Sequence, residues 1–133
     1  MIEDTINVWH QIIENLSEEA LDGLLAEDVV FHSPVVHTPQ LGKKLTTMYL
    51  LSALSVLKND RFVYEREVLE EENAVLEFST EIDGIKINGV DMIKCDEDGK
   101  IIDFKVIIRP LQAIHLVHKK MGAMLAFYNN VMK

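Results

Sequence analysis

The first fifteen residues place Ile2, Ile6, Trp9 and Ile13 at intervals of three or four, while Glu3, Asn7, His10 and Glu14 fall mostly on other faces. That spacing matches the turn of an α-helix and predicts an amphipathic helix over residues 2–15. Ser17 predicts the cap of a short second helix carrying Leu21, Leu24 and Leu25, because its hydroxyl can accept a backbone N–H of the first turn. Asp28 then leads into Val29-Val30-Phe31-His32, a short β-rich run that stops at Ser33-Pro34. Residues 35–42, with Pro39 and Gly42, read as a loop. Lys43 to Leu57 reads as a helix again, with Leu45, Met48, Leu51/Ser52 and Ser55 on related turns.

Past Asn59-Asp60 the period changes to two, the spacing of a strand with one buried face. Phe62–Leu69, Asn73–Ile82, Ile85–Cys95 and Lys100–Arg109 each read as a strand. In the second, Leu76, Phe78, Thr80 and Ile82 oppose Glu77, Ser79 and Glu81; in the fourth, Ile102, Phe104, Val106 and Ile108 oppose Asp103 and Lys105. Asp83-Gly84 and the Asp96–Gly99 segment supply the turns. Pro110 suits the first position of a last helix, which Leu111, Ile114, Val117/His118, Met121, Leu125 and Tyr128 continue. Helices, one short strand, a helix, an antiparallel meander and a closing helix make an α+β pattern and not a βαβ one.

Composition bounds this picture. A chain of 133 residues predicts one domain, 1–133, with room for one core and one enclosed pocket. Apolar residues make up 48% and charged residues 26%, an ordinary globular balance that excludes disordered and low-complexity classes. Thirteen Lys+Arg against twenty-two Asp+Glu give a net charge of −9, which repels phosphate backbones; with no local basic patch, no nucleic-acid partner is expected. Glu3 and Asp4 stand where a signal peptide would be basic. The near-apolar run Met48–Leu57 is shorter than the ~20 residues of a membrane span. With one cysteine, Cys95, these features predict a soluble, cytoplasmic protein without a membrane partner.

Three segments carry a family likeness: Leu24-Leu25-Ala26-Glu27-Asp28-Val29-Val30-Phe31-His32-Ser33-Pro34; Gly89-Val90-Asp91-Met92-Ile93 followed by Asp98-Gly99-Lys100-Ile101; and Arg109-Pro110-Leu111. In this order and spacing, over nearly the whole chain, they resemble the nuclear transport factor 2-like superfamily, above all its SnoaL-like and ketosteroid-isomerase-like branch. The resemblance implies a cone-shaped, cystatin-like fold: a curved antiparallel sheet wrapped around N-terminal helices, a pocket in its concave face, an extra C-terminal helix, and a homodimer formed through the sheet. Isomerases, cyclases, hydrolases, dehydratases and non-enzymatic binding domains all use this fold, so it does not fix a function.

Asp91 is the leading chemical candidate. It stands between Val90 and Met92 on a predicted strand, with Gly89 and Ile93 on its own face. A carboxylate among apolar groups is costly to keep ionised. Such a group serves as a general base, or as a neutral acid that hydrogen-bonds a developing oxyanion. By resemblance it matches the strand aspartate of the ketosteroid-isomerase oxyanion hole, a carboxylic acid kept neutral by its apolar site; in the limonene-epoxide-hydrolase branch an acid lies at a similar strand position. The bland alternative is a strand-end Asp in solvent or paired with Lys.

Two departures count against ketosteroid isomerisation itself. The aspartate base that those enzymes carry before the matched Pro34 is here Ser33, and the tyrosine acid of their first helix is here Trp9. Serine is no unassisted base at neutral pH, and an indole has no usable proton. The epoxide-hydrolase triad is also incomplete, because Phe104-Lys105-Val106 stands where its last-strand acid is expected.

Ser33 and Asp91 are therefore the catalytic candidates, with Trp9, Phe31, Tyr49, Tyr64, Phe104, Val106 and Ile108 as the expected ligand-binding wall. Trp9 reads first as a core aromatic, which helical spacing alone predicts, and second as a ring that stacks on a ligand. Tyr49 and Tyr64 offer an apolar body with a polar handle, or simply core and rim. Alternation turns His32 away from Phe31 and Ser33, whereas His37 in the loop reaches the rim or solvent; either is a substitute base. His115 and His118 share a helical face at metal-pair spacing, but no third ligand stands at a motif distance, so no metal is expected. Glu77 and Glu81 read as an outward face or an interface ion pair, Arg109 as structural, and Cys95 lacks a histidine-based activation signature. Two functions follow: a cofactor-independent isomerase, cyclase or lyase acting on an apolar carbonyl compound through Asp91, or a non-catalytic ligand-binding or dimeric interaction domain, which the Ser33 and Trp9 departures favour. Both take a small apolar molecule as partner and no cofactor.

Overall fold

The computed structural model describes residues 1–131. The first helix, α1 (Ile2–Asn15), buries Ile2, Ile6, Trp9, Ile12 and Ile13, the stripe its period predicts. In α2 (Glu18–Leu24) the Ser17 hydroxyl accepts the Ala20 N–H at 3.1 Å, so the predicted cap is present. The chain then passes directly into β1 (Leu25–His32). The strand thus starts earlier than expected and takes Leu25 from the helix. Leu25 pairs with Ile101, and a register shift between Leu25 and Val30 absorbs Ala26-Glu27-Asp28, residues whose weak β-propensity hid the strand. The expected loop at 35–42 contains a two-residue strand, β2 (Gln40–Leu41), paired with Phe31 and Val30, too short to leave a periodic signal.

Helix α3 (Lys43–Leu57) follows. It buries Thr46, Thr47, Leu50, Leu51, Ser52, Leu54 and Leu57, while Leu45 is 39% exposed, so the face expected through Leu45 and Met48 is displaced. The cause is that α3 is packed on two sides, by β1 and by the last helix. The meander is β3 (Val63–Glu70), β4 (Asn73–Ile82), β5 (Ile85–Cys95) and β6 (Ile101–Arg109). Phe62 precedes β3 instead of opening it. Ile101 is fully buried and Ile102 only half-buried, against the alternation expected of β6, because the register steps at Lys94/Cys95 and makes Ile102 the extra residue of a bulge. From Phe104 onward the alternation holds. Pro110 precedes α4 (Leu111–Val131) and its carbonyl accepts the N–H groups of Ala113 and Ile114, so it caps the helix from outside its first turn.

The six strands form one sheet in the order β2-β1-β6-β5-β4-β3. All neighbours are antiparallel except β1 and β6, which run parallel. Helix α3 and the rest of the meander separate those two strands in sequence, so no hairpin dictates their sense. The fold is α+β with the cone-like wrapping expected: the inward faces of the sheet close on α1, α2 and α3, with Trp9, Phe31, Phe78 and Phe104 among the largest side chains sealed inside. Among the described residues no helix is long and apolar enough to cross a membrane.

Candidate functional site

Strand β5 lies between β4 and β6, which puts Asp91 opposite Leu76 on one side and Val106 on the other, facing the core and only 6% exposed. Its partner is Tyr64. A register shift in β3 between Tyr64 and Arg66 turns Tyr64 inward opposite Phe78, while Arg66 turns outward opposite Glu77. The Tyr64 hydroxyl donates to Asp91 Oδ2 at 2.6 Å, and the Trp9 indole N–H donates to the same Tyr64 oxygen at 3.0 Å. The three side chains make one buried chain of hydrogen bonds from α1 to β5.

This environment sets the acidity of both groups. Burial pushes the Asp91 carboxyl up to about 7, against the pull of the Tyr64 hydrogen bond, which favours the carboxylate. Burial also pushes the Tyr64 phenol well above its ordinary value, and the neighbouring Asp91 charge adds to the rise. Asp91 therefore populates both its acid and its carboxylate near neutral pH, and Tyr64 stays protonated as its donor.

Aromatic packing fixes the pair. The Phe62 ring meets Tyr64 edge-on at 5.1 Å, and Phe78 stacks on Phe62 at 5.4 Å. Gly89 makes room for this stack: a Cβ there would strike the Phe78 ring and stand 2.8 Å from the Ile107 carbonyl oxygen. Across Tyr64, the His10 ring packs edge-on at 5.3 Å and its Nε2 meets the Glu67 carboxylate at 2.5 Å.

Beside this chain is a cavity of about 130 Å³ between the concave face, α3 and α4. Phe31, Val106 and Ile108 form its sheet wall; Tyr49, Ala53 and Leu57 come from α3; Val117, His118, Met121 and Leu125 come from α4. An apolar cavity of ~150 Å³ accepts a benzene ring, so this one matches a single six-membered ring. Its polar groups are few: Ser33, Tyr49 and His118. Ser33 shapes the exit of β1, its Oγ accepting the Val35 N–H at 3.0 Å and the Val36 N–H at 3.4 Å.

The candidates thus separate into two layers. Phe31, Ser33, Tyr49, Val106 and Ile108 line the cavity. Trp9, Tyr64, Asp91 and Phe104 lie behind it, and the layers touch through Phe104, whose ring is 5.0 Å from Trp9 and 6.2 Å from Phe31. Asp91 is not itself on the cavity wall; Val106, its cross-strand neighbour, is. His32 points away and its Nε2 pairs with Asp103 at 3.1 Å, and His37 lies in an open hollow with Pro39 and Lys105. Glu77 is on the outer face, its carboxyl held below the usual range by hydrogen bonds from Asn88 and then Arg66; Glu81 pairs with Arg61 at 3.9 Å. Arg109 reaches Asn88 at 3.4 Å on that face. Cys95 is buried, which pushes its thiol up and away from nucleophilic use. Among the described residues no three His, Cys, Asp or Glu side chains gather as a metal site.

No protein-family model matches the sequence, and no curated protein matches it. Solved structures do. A steroid delta-isomerase from Pseudomonas aeruginosa is 34% identical, with 97% of this chain and 94% of that one superimposed at a TM-score of 0.89. The chain belongs to the nuclear transport factor 2-like superfamily, in its SnoaL-like and ketosteroid-isomerase-like branch. Two further structures agree on the fold: a Silicibacter pomeroyi protein with a cystatin-like fold (29% identity, 90% of this chain, 83% of that one, TM-score 0.82) and an NTF2-like protein from Mesorhizobium loti (18% identity, 82% and 91%, TM-score 0.70).

In this NTF2-like chain, α4 supplies what the sequence did not point to. Val117, His118, Met121 and Leu125 were legible as a helical stripe, but nothing local says that the stripe covers the mouth of the sheet. Ala53 and Leu57 are hidden in the same way by the ordinary apolar run of α3. The partnership of Tyr64 with Asp91 depends on the β3 bulge, which leaves no mark in Val63-Tyr64-Glu65-Arg66.

Proposed function

We propose that this NTF2-like protein binds a small, largely apolar carbonyl compound in the cavity under α4 and transfers a proton on it, as a cofactor-independent isomerase or cyclase does, with Asp91 as the acid. The observation that carries this reading is one fully enclosed carboxyl, half-protonated near pH 7, hydrogen-bonded by Tyr64 and adjacent in register to Val106 of the cavity wall. Asp91 lies one layer behind the wall, so the carbonyl end of the ligand must reach past Val106 toward β5. There protonated Asp91 donates to the carbonyl oxygen as negative charge develops, and the low-polarity surroundings strengthen that hydrogen bond. The kinship with a steroid delta-isomerase supports proton transfer next to a ketone as the reaction class. The cavity volume argues for a single ring as the enclosed part, since drug-sized ligands occupy about 300–1,000 Å³.

The test uses 3-cyclohexen-1-one, whose double bond moves into conjugation with the carbonyl and so raises its ultraviolet absorbance. The native chain isomerises it, and Asp91→Asn, with an unchanged circular dichroism spectrum, loses about 10²- to 10³-fold in kcat, the cost of one oxyanion donor. Equal rates for both proteins contradict the proposal. A second reading, a ligand-binding domain without chemistry, draws on Ser33: its oxygen is committed to two backbone N–H groups at the position of the branch's base. A ligand retained through purification with no product from a panel of ring ketones favours that reading; an Asp91-dependent product excludes it.

The partner of the outer sheet face is a second copy of this chain. Val68, Val75, Val90, Met92 and Ile107 are neighbours there across β3, β4, β5 and β6, flanked by the Arg66–Glu77 ion pair and by Lys105. We also place the protein in the cytoplasm, where its free thiol, Cys95, needs no oxidising compartment.

A further inference from the structure

We infer that His118, carried by α4, is the base of this cavity, replacing the carboxylate that Ser33 is not. The inference rests on the proton-transfer reading above.

Moving a double bond toward a carbonyl requires a group that takes a proton from one carbon and returns it to another. Ser33 lies on the wall but is a hydroxyl whose oxygen already accepts the Val35 and Val36 N–H groups. Five histidines are available. His10 is engaged with Glu67 and His32 with Asp103. His37 sits in an open hollow beside β6 that shares Ser33, Val106 and Ile108 with the cavity, but it is not itself on the cavity wall, and His115 is exposed one turn from that wall. His118 lines the cavity together with Ser33 and Tyr49. The histidine ion pairs among the described residues are those of His10 and His32, so the imidazole of His118 is open to a ligand.

Its setting suits the task. It shares the cavity lining with the apolar Val117, Met121 and Leu125, while the residue stays exposed, so the ring can exchange protons with water after each turnover. Two contacts hold α4 over the cavity and thereby hold His118: the Tyr128 and Ser55 hydroxyls are 3.0 Å apart, and Lys120 pairs with Asp83 at 3.3 Å.

The step balances within the substrate. A neutral ring nitrogen of His118 takes the proton from the carbon between the carbonyl and the double bond. The freed C–H electron pair becomes a new carbon–carbon double bond, and the carbonyl π pair moves onto oxygen, where Asp91 stabilises it. The oxygen pair then reforms the carbonyl, and the pair of the newly formed double bond shifts one bond along to become the conjugated alkene. The original alkene pair takes the proton back from the imidazolium at the far carbon, and the conjugated ketone leaves. Nothing is oxidised or reduced, and no co-reactant enters.

The experiment compares native protein, His118→Ala, His118→Gln and Asp91→Asn on 3-cyclohexen-1-one, with imidazole added back to His118→Ala. Both His118 variants lose about 10²- to 10⁴-fold in kcat with KM within roughly threefold, and imidazole restores part of the His118→Ala rate. Asp91→Asn is slow and imidazole does not restore it. If Asp91→Asn is slow while the His118 variants keep native rates, or if imidazole restores nothing, the base is not His118 and the proton-transfer reading stands. If the native protein does not isomerise the ketone, the proton-transfer reading falls and this inference with it.

Discussion

At the scale of the residue, the account turns on a carboxyl that folding makes hard to ionise. Asp91 has an ordinary value of 3.8 and is pushed up to about 7 by burial. Between those two pH values the folded chain holds a proton that the unfolded chain has released. Unfolding therefore releases that proton, and stability falls as pH rises from about 4 to about 7, then levels off once Asp91 is ionised in both states. The span corresponds to at most about 4 kcal/mol. Asp91→Asn, which cannot ionise, removes this slope, so the stability of the variant relative to native rises across that window; urea denaturation at a series of pH values measures it, and parallel curves contradict it. Asp91 was legible in the sequence because it is a charge at an inward position of an alternating strand. Its acidity was not, because that depends on how completely the folded core buries it, against the opposing hydrogen bond from Tyr64, 27 residues away in the chain.

At the scale of the element, periodicity identified the four helices and the four long strands, and misjudged their edges where a bulge or a second packing surface intervened. Ile102 follows the alternating pattern of β6 but is the extra residue of a bulge, so Ile101 takes its buried place. Leu45 follows the helical period of α3, yet α4 and β1 together set which sides of that helix are covered. The same dependence on partners concealed the cavity. α4 buries only Ala113 and Val117 completely; Met121 and Leu125 line the cavity, Ile114, Leu116 and Tyr128 pack against the core, and Leu111, Phe127 and Val131 stay exposed. That arrangement explains why a stripe ending in Leu125 and Tyr128 looked like ordinary amphipathic packing, and why His118, read as half of a weak metal pair, stands at the mouth of the site.

At the scale of the whole molecule, the sheet presents two different faces. The concave face encloses the acid and the cavity. The convex face leaves Val68 55%, Met92 41% and Ile107 50% exposed in one neighbourhood, an apolar area ringed by charges of both signs. In the proposed dimer a two-fold axis brings this patch against its own copy, with Ile107 near its centre. Light scattering is predicted to give twice the chain mass for the native protein and the single chain mass for Ile107→Lys; a native monomer contradicts the dimer. The net charge of −9 is carried mainly by turns and by the outward positions of strands, so it describes solubility and not the site.

The central claim is that the cavity and Asp91 act as one site. The direct test is a carbon-13 NMR titration of the Asp91 carboxyl, free and with saturating cyclohexanone, a ring ketone that fills the cavity without reacting further. The account predicts a midpoint at about 7 in the free protein and a higher one with the ketone bound, because the neutral acid donates to the carbonyl. A midpoint near the ordinary carboxylate value, or one that saturating ketone leaves unmoved, contradicts it.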